Sequence, residues 1–115
     1  MNVKEFYAAT NSNYQDALSI MMMDALIEKM ITKFMNDNNV GLMVSLYEQK
    51  DYRNLFAAAH TLKGVAGNLA FTQLFNVACV ITEATRNSDD VNLDNEINQL
   101  KEAYASLEEA YQKYR

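Results

Sequence analysis

An all-α fold, an antiparallel up-down four-helix bundle with additional short N-terminal helices, is what the sequence predicts, on three observations. The chain of 115 residues has no proline and only three glycines, whereas an all-β fold needs turn residues at short, regular intervals. Apolar residues recur at three- and four-residue spacing over most of its length. The breaks between these periodic runs are short and polar, as the connections of a helical bundle are.

Val3 to Ala9 reads as a short helix, broken by Asn11-Ser12-Asn13, and Tyr14 to Ile20 as one or two further turns. Asp24 starts the next helix, with Leu26, Met30 and Phe34 at helical spacing and Ile27 and Ile31 one turn off. Asn36 to Asn39 reads as a stop, because asparagine and aspartate side chains compete for backbone hydrogen bonds. Val40 to Gln49 resumes a helix carrying Leu42, Val44, Leu46 and Tyr47, and Asp51 is placed to cap the one after it. That helix is expected from Tyr52 to Leu69. Another follows from Thr72 to Asn87, with Leu74, Val77, Ala78, Ile81 and Thr85 on one side. After a polar break at Asn87 to Asp90, a last helix spans Asn92 to Lys113. Its Leu93, Ile97, Leu100, Tyr104, Leu107 and Tyr111 stand alternately four and three residues apart, the seam of a bundle helix.

Half of the residues are apolar, enough to build the core of one domain covering residues 1–115. The formal charge of −5 does not suit a phosphate backbone, so nucleic acid is not an expected partner. No run approaches the roughly 18 apolar residues of a membrane span, and the N-terminus lacks the apolar stretch of a signal peptide. A cytoplasmic protein, monomeric and without membrane contact, is the expectation. Cys79 is the only cysteine, which fits a reducing compartment, and it reads as a small buried hydrophobe. Met21-Met22-Met23 could supply thioether metal ligands, but flexible apolar packing near a helix start is the plainer reading. The seven tyrosines are scattered and form no cofactor box.

The chain has one histidine, His60. Successive helix residues turn by about 100°, so Arg53, Phe56, Ala57, Lys63, Gly64 and Gly67 all fall within about 60° of it. Leu55, Ala58, Leu62, Val65 and Leu69 cluster on the opposite side as the core stripe. The histidine is therefore expected to face solvent. Glycine inside a helix costs about 1 kcal/mol relative to alanine, so Gly64 and Gly67 on the histidine's face require a reason. Either a neighbouring helix packs closely there, or another protein's backbone must approach the imidazole.

Lys63, one turn beyond His60, offers positive charge to the oxygens of an incoming phosphoryl group, and Arg53 could do so at longer range. Phosphoryl transfer needs mostly positioning and charge neutralisation, and an imidazole nitrogen is an adequate nucleophile and leaving group. No other catalytic arrangement competes. There is no glycine-rich phosphate loop, no second histidine for a metal pair and no helical acidic cluster to hold magnesium.

The stretch Ala58-Ala59-His60-Thr61-Leu62-Lys63-Gly64-Val65-Ala66-Gly67-Asn68-Leu69 resembles the signature of histidine-containing phosphotransfer (HPt) domains, the intermediate carriers of multistep phosphorelays. The family pattern is roughly Ala-His-x-Leu-Lys-Gly, a small-residue stretch, then Asn-Leu-Gly. The resemblance implies that His60 is the phosphoacceptor, that Lys63 assists it and that Gly64 leaves room for a receiver domain. It implies that the His60 helix and the Thr72–Asn87 helix, with Thr82 and Arg86, form the docking surface. It further implies two-component signal transduction with response-regulator receiver domains or a hybrid sensor histidine kinase as partners. Magnesium would be held by the receiver and no cofactor by this chain, a phosphocarrier without kinase activity of its own. Two positions depart from the family. Ala70 stands where glycine is usual at the helix end, so the turn could be shaped differently. Thr82 stands where some members place a glutamine that bonds the imidazole, and threonine is shorter. The alternative is a helical adaptor that binds receivers or another protein without being phosphorylated. A metal or haem bundle lacks the ligands.

Overall fold

A computed structural model describes residues 1–115 as seven helices and no strand. They are α1 (Val3–Ala9), α2 (Tyr14–Met21), α3 (Asp24–Asn36), α4 (Asn39–Glu48), α5 (Tyr52–Asn68), α6 (Thr72–Thr85) and α7 (Asp94–Tyr114). The all-helical bundle read from the sequence is the fold observed. Its body is formed by α5, α6, α7 and a limb broken into α3 and α4, while α1 and α2 close one end. The molecule measures 42 × 24 × 20 Å, its long dimension set by helices such as α7 of 21 residues, about 31 Å at 1.5 Å per residue.

Local chemistry explains most boundaries. The side chains of Asn2, Asn13 and Asp51 accept from the backbone N–H of Glu5, Asp16 and Asn54, capping α1, α2 and α5. The polar run at Asn36 does interrupt the helix, and Asp37 turns to extended backbone. The last helix begins at Asp94, two residues later than the sequence indicates. Its start is held by Tyr47 of α4, whose hydroxyl accepts from Leu93 N at 2.8 Å and donates to Asp94 Oδ1 at 2.6 Å. α6 ends at Thr85, not Asn87, because Arg86 leaves the helical conformation.

Three stripes need correction. In α3 the buried residues are Ile27, Ile31 and Phe34, while Leu26 is 38% exposed. In α4 they are Val40 and Met43, and Leu42 faces out. In α7 the small Ala103 and Ala110 are buried alongside Ile97, Leu100 and Leu107, while Tyr104 and Tyr111 lie half-buried at the edge. The methionine triplet does not pack as expected either. Met21 touches the core, but Met22 takes a left-handed cap with φ 77° and is 77% exposed, and Met23 is exposed beside it.

The turn between α5 and α6 positions the site. Phe71 N donates to Ala66 O at 3.0 Å and Ala70 N to Gly67 O at 3.2 Å, the paired bonds of a Schellman motif. Ala70 occupies its left-handed position at φ 53°. The left-handed turn is therefore made without glycine, at a conformational cost of about 1 to 2 kcal/mol. Burial around it offsets that cost. Phe71 packs against the rings of Phe6, Tyr7 and Phe34. The Tyr7 hydroxyl donates to Leu69 O at 2.7 Å, and Asn13 N donates to Ala70 O at 3.0 Å. Burial pushes the Tyr7 phenol's pKa up, so it stays a neutral donor.

Tyr7→Phe should lower the unfolding free energy by about 1 to 2 kcal/mol, because the buried Leu69 carbonyl loses its side-chain donor while packing volume is kept. Urea unfolding followed by circular dichroism measures it. An unchanged midpoint would mean that this bond contributes nothing to closing the turn.

Candidate functional site

The core-facing side of α5 is Leu55, Ala59, Leu62, Ala66 and, just past its end, Leu69. This is rotated from the stripe read in the sequence, because α6 packs flush against one flank of α5. Ala59 and Ala66 are small enough to be covered there, whereas Ala58 and Val65 are only half-buried. His60 remains on the exposed side, with Arg53, Ala57 and Gly64 exposed around it. α5 carries Arg53 and Lys63 and no acidic residue, a local positive face in a chain of net charge −5.

The two glycines have different surroundings. A Cβ placed on Gly64 would meet nothing within 4 Å, so no neighbouring helix accounts for its size. On Gly67 it would meet the Phe75 ring at 3.2 Å. For Gly67, of the two reasons the sequence left open, the closely packed neighbouring helix is the one the structure shows. Phe75 reaches it from α6.

α6 supplies the other wall. Thr82 lies on this helix but is fully buried, its hydroxyl donating to Ala78 O at 2.7 Å. It neither touches the imidazole nor reaches a partner, so its place on the docking surface is corrected: four residues C-terminal to Ala78, it back-bonds within its own helix. Cys79 is half-buried, not enclosed as the sequence reading had it. Arg86 is exposed at the helix end. Its Nε donates to Glu83 Oε2 at 3.2 Å and its Nη2 to Glu83 Oε1 at 3.0 Å. Its guanidinium lies over the Phe56 ring, 5.0 Å from the centroid. Phe56 in turn meets the His60 ring in a T-shaped contact at 6.1 Å.

Glu83 is the site residue that sequence reasoning missed. The Arg86 guanidinium, bonded to it, holds its carboxyl below the usual carboxylate range, and the Lys63 charge acts in the same direction. The spacing of Glu83 and Arg86 was visible as an i,i+3 pair. That it faces α5 was not, since this depends on how α6 is rotated against its neighbour. Lys63 is half-buried and, by its place on the helix, lies on the flank of α5 that carries Phe56. No cluster of three or more histidine, cysteine or carboxylate side chains is arranged to hold a metal ion, and no helix is long and apolar enough to cross a membrane.

A family model described as Hpt domain matches residues 18–110. No curated protein and no solved structure matches the chain.

The surroundings of the glycines predict a contrast in stability. Gly64→Ala should stabilise the protein by about 1 kcal/mol, the ordinary helix-propensity gain in open space. Gly67→Ala should gain clearly less, or lose stability, because its methyl presses on Phe75. Urea unfolding of the two variants side by side measures this, and equal gains would contradict the packing described for Gly67.

Proposed function

We propose a role for His60 from one premise: the chain belongs to the Hpt domain family, phosphocarrier modules of two-component phosphorelays. In this reading the His60 imidazole accepts a phosphoryl group from an aspartyl phosphate on one receiver domain and passes it to the aspartate of another. A receiver joined to a sensor histidine kinase could serve as donor. The observation that carries it is an exposed imidazole on an acid-free helix face, with open space where a Gly64 side chain would stand.

The chemistry follows from those groups. The lone pair of a neutral imidazole nitrogen attacks phosphorus in line with the aspartyl oxygen. The N–P bond forms, the O–P bond breaks, and the electron pair leaves with the aspartate as a carboxylate. The other ring nitrogen keeps its proton, so the phosphorylated ring is cationic and a good leaving group for the reverse step. Lys63 supplies charge beside the phosphoryl oxygens. Magnesium, in this reading, is held by the receiver, and this chain contributes no ligand to it. Ala57 and Gly64 keep the approach low enough for the reacting atoms to come within about 3 to 3.5 Å. Arg53, exposed two turns before His60, adds charge that attracts an acidic receiver pocket.

The test is incubation with receiver domains, a small acyl phosphate and magnesium. An acid-labile, base-stable phosphate should appear on His60. His60→Gln should abolish it without loss of helicity, since the histidine faces away from Leu55, Leu62 and Leu69. Lys63→Ala should slow transfer by at most about a hundredfold, the low end for loss of one enclosed electrostatic stabiliser, because Lys63 is only half-buried. Gly64→Gln should block transfer while leaving the fold at least as stable. A chain that binds receivers yet never acquires phosphate on His60 would overturn this function in favour of an unphosphorylated adaptor.

A further inference from the structure

The His60 imidazole makes no hydrogen bond to any side chain, and Thr82, the residue opposite it on α6, is turned inward onto Ala78. Its one ring partner is Phe56, one turn earlier on α5, at 6.1 Å between centroids and 67° between planes. A lone half-buried phenylalanine would hold an exposed ring only loosely. Here, however, the Phe56 ring is itself covered by the Arg86 guanidinium, 5.0 Å from its centroid. That guanidinium is fixed by two near-parallel bonds to one carboxylate, at 3.0 and 3.2 Å.

We infer that Glu83, Arg86 and Phe56 form a brace that positions the His60 imidazole for phosphoryl transfer. This inference rests on the phosphoacceptor reading of His60. Exposed ion pairs contribute little to stability; what the pair supplies is geometry. A carboxylate that meets a guanidinium fork-to-fork fixes the plane of the guanidinium, and a guanidinium over an aromatic face is attracted by the ring's quadrupole. An edge-to-face aromatic contact then restricts the imidazole to a narrow range of orientations. The three members come from two helices, so the brace exists only when α5 and α6 are packed in register. All three are positioning residues, because Glu83 and Arg86 act through Phe56 and Phe56 through its contact with the imidazole.

The brace also accounts for the absence of a hydrogen-bonding side chain to the imidazole. A bonded ring nitrogen is oriented by its partner. An unbonded one has to be oriented by packing, and rings and planar cations are the side chains that do this at an exposed site. Both ring nitrogens then stay available, one for phosphorus and one to keep its proton.

The experiment uses the single histidine of the chain, whose ring protons give an unambiguous NMR signal, and phosphoramidate as a small phosphodonor. In that reaction an imidazole N–P bond forms, the donor's P–N bond breaks and ammonia leaves, so receiver docking plays no part. Phe56→Leu should remove the ring-current shift of the His60 signals and slow phosphorylation by phosphoramidate about three- to tenfold. Glu83→Gln and Arg86→Lys should move the same signals part of the way, since each keeps size but breaks the fork. Circular dichroism confirms that the variants stay folded, and the two surface variants carry the test should Phe56→Leu fold poorly. His60 signals and rates that match the parent in Glu83→Gln and Arg86→Lys would overturn the brace. So would variants slowed only with a receiver as donor, which would assign these residues to docking. A folded parent chain that takes no phosphate from either donor would instead refute the phosphoacceptor reading, and the brace with it.

Discussion

The reversal of the chain at Ala70 is the constraint on which the site depends. It returns α6 along α5 with no spare residue, and the contacts that define the site then pair across the hairpin. Gly67 meets Phe75, and Phe56 meets Arg86. Each pair stands at equal distances along the chain from Phe71. A slip of α6 by one residue in register would turn its side chains by about 100° and carry these partners away from α5. The strained residue is held because its neighbours are anchored on every side: Leu69 by the Tyr7 hydroxyl, Ala70 by Asn13, and Phe71 by three aromatic rings.

This places the N-terminal helices in the service of the site. Phe6 and Tyr7 of α1 are fully enclosed, although the matched family region begins only at residue 18. They close the end of the bundle where α5 turns into α6, and so stiffen a surface some two turns away. A rigid hairpin suits a carrier. Its docking face has to be ready-made, because binding energy spent on ordering a mobile face is lost from the approach of the two reacting groups.

The fold was largely legible because helix periodicity and caps are local properties. Asn2, Asn13 and Asp51 cap helices through their own side chains, and the sequence alone identifies such residues. Which residue of a stripe lies deepest was less legible. In α3 the choice between Leu26 and Ile27 depends on where α1 and α2 lie, not on spacing. At the site, the outward direction of His60 followed from α5 itself, and so did its neighbours Arg53, Ala57 and Gly64. Of α6, the buried stripe and the exposed Arg86 were legible, but its rotation against α5 was not. The rotation of that helix buried Thr82, gave Gly67 a ring to pack on and brought Arg86 over Phe56. A register between two helices is set by their packed side chains together, and one helix's sequence does not carry it.

In the proposed function the exposed side of α5, centred on His60, is the surface at which phosphate is exchanged. The most direct measurement is backbone amide NMR of the chain titrated with a receiver domain loaded with magnesium and beryllofluoride, a mimic of its aspartyl phosphate. Shifts concentrated on Arg53, Ala57, His60, Lys63 and Gly64 and on the C-terminal turn of α6, with α7 unmoved, are the predicted result. Shifts centred on α7 or on the face formed by α3 and α4, with the His60 region silent, would contradict it.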